Sequence, residues 1–221
     1  MSWDPTWEGV FRSQPWGKYP GEELIRFVAR NFFHVSDRAS VNLLEVGCGP
    51  GPNLWFLARE GFSAYGVDGS QTAIELARSR LDAECPGWKG QLCRGDMLQL
   101  PFPDEFFDAV IDNEAVYCND YPVAQRIYGE MSRVTKARGK LFCRTFAAGS
   151  WGDGTGERVG HNAWLVGEGP MYNKGFSRFT EDLEIRELIQ GFHVVETELL
   201  TRTMDNGAHA VKEWIILGEK S

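Results

Sequence analysis

What this 221-residue chain lacks narrows its class before any motif is read. No apolar run approaches the roughly 20 residues that a helix needs to cross a bilayer. The start, Met1-Ser2-Trp3-Asp4-Pro5, has neither basic residues nor an apolar stretch. It does not read as a secretory signal, and the cytoplasm is the expected compartment. Cysteine is sparse: Cys48, Cys85, Cys93, Cys118 and Cys143 are odd in number and widely spaced, without a C-x-x-C or a Cys/His zinc spacing. No metal site is expected, and reduced, mostly buried thiols are the natural reading. Positive charge is in deficit, with 23 Lys and Arg against 31 Asp and Glu and a net charge of −8. A general nucleic-acid binder draws its affinity from a basic face, so nucleic acid is not an expected partner. Repeats, low-complexity stretches and linkers are absent, and one domain over 1–221 is expected.

What is present is concentrated in Leu43-Leu44-Glu45-Val46-Gly47-Cys48-Gly49-Pro50-Gly51-Pro52-Asn53. An apolar run carrying an acid near its end is followed by glycines at alternate positions, and an amphipathic segment begins at once. The pattern predicts a buried strand, a glycine turn and a helix N-terminus. Glycine opens backbone angles closed to other residues and leaves room for a ligand against the main chain. Pro52 suits the first helical turn, where its missing N–H costs nothing. Asp68-Gly69-Ser70 ends the next apolar run, Ser63-Ala64-Tyr65-Gly66-Val67. An acid about 20 residues after the glycines, at the end of the second strand, is where a doubly wound fold grips ribose hydroxyls. A nucleoside-type cofactor is therefore the leading expectation.

The dinucleotide fingerprint G-x-G-x-x-G/A does not stand here, because its third small residue would fall on Pro52. Glu45 before the turn is a poor neighbour for a pyrophosphate and a reasonable one for a cationic ligand. S-adenosylmethionine carries a sulfonium and an ammonium and no phosphate, so charge favours that methyl donor. The chain resembles a class I S-adenosylmethionine-dependent methyltransferase through four landmarks in order. They are the Glu45–Gly51 loop, Asp68, Gly95-Asp96-Met97, and Phe106-Phe107-Asp108-Ala109-Val110-Ile111-Asp112, over roughly residues 40–146. The resemblance implies that Glu45, Gly47, Cys48, Gly49, Gly51 and Asn53 pack against the methionine and ribose part. It implies that Asp68, with Gly69 and Ser70 beside it, binds the ribose. It further implies that Asp96 and the Met97 amide take the adenine, and that Asp112-Asn113-Glu114 faces the methionine portion or the acceptor; Asp112 could instead cap the segment that follows.

Strands are expected at 42–47, 63–68, 90–95, 107–112 and 139–146, with helices at 21–33, 52–60, 71–82 and 121–135. Such alternation reads as α/β, a doubly wound, mostly parallel sheet with helices on both faces. The last two strands, His193–Thr203 and Val211–Gly218, complete seven, joined through Asp205-Asn206-Gly207. The resemblance makes the last strand antiparallel. A helix is expected over Thr180–Gln190 with Thr180 as its cap. Residues 147–178 hold eight glycines and few periodic apolar residues. So long an insertion is usually functional or mobile, and it is expected near the acceptor site. Residues 1–35 are expected to supply an aromatic and helical lid, with Trp16 and Tyr19 near the methionine end, or else a pad on the sheet edge.

Methyl transfer is an in-line displacement from an excellent leaving group, so the protein's main task is alignment in a dry pocket. No motif fixes a general base. His161 in the glycine-rich insertion, Glu114 and Tyr117 are the candidate catalytic residues, with His209 behind them; Arg12 and Lys18 are candidate anion ligands. The acceptor is expected to be a small molecule or a saccharide or lipid intermediate, handled by a monomer or homodimer. A non-catalytic cofactor binder of the same fold stays open. A nicotinamide oxidoreductase is disfavoured by Pro52 and by the lack of a Tyr-x-x-x-Lys pair.

Overall fold

A computed structural model describes residues 2–221; Met1 lies outside the described residues. Five strands run parallel: β1 (Asn42–Val46), β2 (Ser63–Asp68), β3 (Lys89–Arg94), β4 (Phe107–Asn113) and β5 (Thr135–Phe146). Three short strands follow, β6 (Glu157–Gly160), β7 (Ala163–Leu165) and β8 (Phe176–Arg178), and then the long pair β9 (Phe192–Met204) and β10 (His209–Lys220). The main sheet has seven strands in the order β3-β2-β1-β4-β5-β10-β9. β10 lies antiparallel to β5, and β9 antiparallel to β10, at the sheet's far edge. The expected architecture, with an antiparallel last strand, is what forms.

The helices are α1 (Thr6–Ser13), α2 (Glu22–Phe32), α3 (Pro52–Arg59), α4 (Gln71–Glu84), α5 (Tyr121–Val134) and the single turn α6 (Ile185–Leu188). Their starts follow local chemistry. Pro52 occupies the first turn of α3. Ser70 caps α4 by accepting the Ala73 amide at 3.1 Å, and Asp120 caps α5 by accepting that of Val123 at 2.9 Å.

Adjacent residues of the central strands serve opposite faces, which explains why β1 reads as an unbroken apolar run. Leu44 and Val110 pack with Ile127, Tyr128 and Met131 of α5 on one side. Leu43 and Ile111 pack with Leu24, Phe27 and Val28 of α2 and with Leu54 and Leu57 of α3 on the other. Strand order reverses beside β1, whose neighbours are β2 and β4. The crevice beyond the C-terminal ends of β1 and β4 is where such a sheet leaves room for a ligand.

The structure departs from two local expectations and adds two elements that were not foreseen. Residues 1–35 do not form one lid, because α2 is built into the core with Leu24, Phe27 and Val28 nearly or fully buried. α1, hidden among tryptophans and prolines, was not expected as a helix. The Thr180–Gln190 helix shrinks to a 3-10 turn, Asp182–Glu184, and α6. Its entry is a reciprocal capping box of Glu181 and Glu184. Thr180 is committed elsewhere: it bridges to Ala147, and its hydroxyl accepts from buried Arg178 at 2.9 Å. Within the glycine-rich insertion, β6-β7-β8 form a small antiparallel sheet.

Candidate active site

The turn after β1 is built on left-handed backbone. Gly47, Gly49 and Gly51 have φ of +61°, +52° and +77°. Each has a separate reason to lack a side chain. A Cβ on Gly47 would collide with the Cβ of Ala115, beyond the end of β4. One on Gly51 would come within 2.9 Å of Ala77, where α3 packs on α4. Gly49 borders a cavity of about 460 Å³ at the strand switch, roofed by Phe11.

Asp68 ties this turn to the second strand. One carboxylate oxygen accepts the Gly49 amide and the other the Ser70 amide, both at 2.8 Å. Burial pushes the Asp68 carboxyl above its ordinary range, against the pull of those two amides. The side chain still borders the cavity. Its oxygens, each holding one donor, retain lone pairs for two further donors such as vicinal hydroxyls.

Glu45 lies beside it, 2% exposed. Asn53 donates to Oε1 at 2.6 Å, while Oε2 is buried with no hydrogen-bond partner. Burial raises the Glu45 carboxyl to about 8, the Asn53 bond lowering it and the Asp68 and Asp112 charges adding to the rise. A buried, unpartnered oxygen on a cavity wall is costly unless something pairs with it. A cation in the cavity would do so, and would pull the carboxyl back toward ionisation. The residues therefore fit a ligand bearing vicinal hydroxyls and an ammonium.

Most other expected contacts also border the cavity: Cys48, Asn53, Gly69, Met97 and Asn113 along its floor, Trp16 and Tyr19 at its rim. Asp96 sits just behind, beneath Ser2. Burial pushes its carboxyl up, but the bonds from Ser2 and Leu98 together hold it below the usual range. Asp112 does not reach the cavity. It is fully buried and accepts from Tyr128 Oη at 2.6 Å and from the amides of Ala115 and Val116 at 2.9 and 3.1 Å, fastening the turn after β4. Gly51 and Ser70 likewise serve helix packing and capping rather than the wall.

His161 is placed away from the cavity. Its ring meets the Glu184 carboxylate and stands edge-on to Tyr121, and its side chain is 58% exposed. Glycine-rich sequence had drawn it toward the ligand; the small sheet holds it on the outer side. His161→Ala is expected to leave ligand affinity unchanged within about twofold and to move the melting temperature by no more than about 2 °C, as surface changes do. Isothermal calorimetry and a thermal melt on the variant check both. His209, stacked on Trp151 at 3.9 Å, is also outside the cavity wall.

The opposite end of the cavity carries a charged cluster in which Glu114, expected there, meets Arg144 and Glu213, which were not. Arg144 of β5 pairs with Glu213 of β10 at 2.6 Å, approaches Glu114 at 3.3 Å, and lies 3.8 Å from Glu23 of α2. Glu114 stands at φ +59° directly after β4, and its Oε1 and Arg144 Nε are buried without an aligned hydrogen bond. Burial raises the Glu114 carboxyl to about 8, with its hydrogen bond to Glu213 adding and Arg144 opposing. The signal available was a charge inside an apolar strand: Arg144 after Leu141-Phe142-Cys143, and Glu213 before Trp214-Ile215-Ile216. Tyr117 forms part of the same wall, and burial holds its phenol far above the usual range. It donates toward Met171 Sδ at 3.4 Å and stays protonated at neutral pH, so it is a wall and not a base. Among the described residues no cluster could hold a metal ion, and no helix is long and apolar enough to cross a membrane.

Comparison with known proteins agrees with this geometry. A family model described as a methyltransferase domain matches residues 43–139. The chain is 35% identical over 124 residues to phthiotriol/phenolphthiotriol dimycocerosates methyltransferase 1 of Mycobacterium ulcerans, covering 55% of this chain and 43% of that protein. It is 33% identical over 134 residues to malonyl-[acyl-carrier protein] O-methyltransferase of Erwinia pyrifoliae, covering 59% of this chain and 44% of that one. The chain thus spans less than half the length of these curated relatives. The fold is similar to magnesium protoporphyrin IX methyltransferase from Synechocystis PCC 6803, a structure with bound SAH. That match has a TM-score of 0.65 at 16% identity, over 98% of this chain and 84% of the other.

Proposed function

We propose that the chain is a class I S-adenosylmethionine-dependent methyltransferase that transfers a methyl group from S-adenosylmethionine to a small-molecule or lipid-intermediate acceptor, a reading supported by its fold and by the methyltransferase-domain match. The observation that carries this reading is Asp68 fastened across the glycine turn beside the unpartnered Glu45 oxygen, on one cavity wall. Asp68 takes the ribose hydroxyls, Glu45 and Asn53 the ammonium end, and Asp96 with the Met97 amide the base. When bound, the donor supplies a methyl carbon on sulfonium sulfur, the C–S bond breaking with its electron pair going to sulfur.

The acceptor end is read from its lining. Phe146, Tyr117, Met171 and Val211 offer an apolar surface, and Glu114, Arg144 and Glu213 a charged one. An acceptor with an apolar body and one heteroatom to be methylated suits both. Glu114, protonated and sharing a hydrogen bond with the ionised Glu213, is placed to hydrogen-bond the acceptor's heteroatom rather than to take its proton. The named relatives include lipid and acyl-carrier substrates, which supports an acceptor of that kind.

Calorimetric titration with S-adenosylhomocysteine and with NAD⁺ tests the donor assignment. Micromolar binding of the first and silence from the second is expected; binding of NAD⁺ alone would overturn it. The raised carboxyls give a second test. The native protein keeps the Glu45 and Glu114 protons through a range in which the unfolded chain has lost them, so stability falls as pH rises from about 4.5 toward 8. The lowered carboxyls, such as Glu8 and Glu130, act below that window and do not offset it. The melting temperature of the unliganded protein is expected to drop between pH 6 and pH 8.5, and Glu45→Gln to flatten part of the slope. A drop of the same size in the variant would remove Glu45 from this role.

A further inference from the structure

The base end of the donor site is already occupied by the chain itself. The Ser2 amide points at both oxygens of Asp96, at 3.1 and 3.2 Å, and its hydroxyl donates to the same carboxylate. That hydroxyl oxygen in turn accepts the Met97 amide at 3.0 Å. Ser2 is 1% exposed. One small group thus presents a donor to a carboxylate and an acceptor to the neighbouring amide. An adenine edge offers the same pair, an amino donor beside a ring-nitrogen acceptor. Next to it, the Trp3 indole lies flat enough against Gly69 that a Cβ there would fall inside the ring's contact radius. A planar aromatic therefore fills the slot between Asp68 and Asp96.

The segment is anchored independently of that slot. Glu8 of α1 accepts from the hydroxyls of Ser70 and Thr72 and pairs with Arg12 at 2.9 Å. The Ser70 and Thr72 bonds hold its carboxyl down at about 2, so this anchor stays ionised across the physiological range. Pro5 stands at the N-cap of α1. Asp4 is fastened to α1, its carboxylate accepting the Thr6 amide at 2.8 Å and its carbonyl the Trp7 amide at 3.1 Å, so Ser2-Trp3 is the arm that swings from a fixed helix. Tethered so closely, it competes intramolecularly at high effective concentration.

We propose that Ser2-Trp3 is a resident competitor for the nucleobase, holding Asp96 and the Met97 amide until the donor displaces it. This rests on the assignment of Asp96 and Met97 to the base. The arm lowers the donor's apparent affinity by the fraction of molecules in which the slot is open. Displacement moves Trp3 off Gly69 while α1 stays docked through Glu8.

The test is calorimetric titration of adenosine and of S-adenosylhomocysteine into the full chain and into Ser2→Gly and Trp3→Gly variants. If the arm competes, both ligands bind more tightly in both variants, by about fivefold to tenfold for a slot that is mostly closed. Unchanged or weaker binding would overturn the proposal and leave the arm a lid that closes over bound ligand. Asp96→Ala in the Trp3→Gly background separates the two levels of inference. Loss of adenosine binding there upholds the base assignment, whereas retained affinity would remove that assignment and the competitor with it. Ser2→Gly keeps the proposal testable if Trp3→Gly melts early, since it leaves the indole in place.

Discussion

Asp68→Ala is expected to weaken S-adenosylhomocysteine binding by two orders of magnitude or more while the protein still folds. Two hydrogen bonds from ligand hydroxyls to a charged group are lost, each contributing about 1.5–3 kcal/mol, which together exceed a hundredfold. A second loss adds to it. The same carboxylate holds the amides of Gly49 and Ser70, and without it the turn must find other partners for them. Asp68→Asn separates these contributions: the side-chain carbonyl can still accept one amide, so its fold should be close to wild type while affinity stays low. Calorimetry and thermal melts on both variants give the answer. Wild-type affinity in Asp68→Ala would take this residue out of the ribose role and force a different ligand class for the cavity.

Gly47→Val is the most disruptive single change the site offers. A β-branched residue at φ +61° is strained by about 1–3 kcal/mol, and its Cβ collides with Ala115. The sum, on the order of 3–5 kcal/mol, corresponds to a fall in melting temperature of roughly 10 °C for a chain of this size. Donor binding should vanish with it, because the turn and the residues after β4 shift together. The clash and the strain can be told apart. Gly47→Ala combined with Ala115→Gly relieves the overlap and leaves the backbone strain, so it should recover part of the stability lost by Gly47→Ala alone. No recovery would mean that the left-handed angle, and not the contact, is what demands glycine there.

The geometry of the proposed donor half was readable in the sequence because its determinants are local. Gly47, Gly49 and Gly51 declare their angles by being glycine, and Asp68 declares its place by ending an apolar run. The acceptor half is assembled from residues far apart in the chain: Glu114 after β4, Arg144 on β5 and Glu213 on β10 meet only once β10 inserts beside β5. Nothing in residues 144 or 213 taken alone announces the meeting. His161 misled for the converse reason, since glycine-rich context resembles a ligand loop although β6, β7 and β8 turn it into a small sheet. The contact of Ser2 with Asp96 was beyond reach, because a lone serine carries no pattern at all. Asp112 left two readings open, cavity wall or cap of the next segment, and its partners, Tyr128 and two amides of the next turn, decide for the second.

The position of β9 at the rim of the sheet has a consequence for how copies of this protein meet. A strand of 13 residues with its outer edge unpaired is a template for adding another chain's strand. Here Val195 and Leu199, 63% and 49% exposed, would reward such stacking. They are interleaved with Glu196 and Glu198, and the chain as a whole carries a net charge of −8. Any second rim approaching it brings the same acids, so the border that is most open to extension is also the one that repels its own kind.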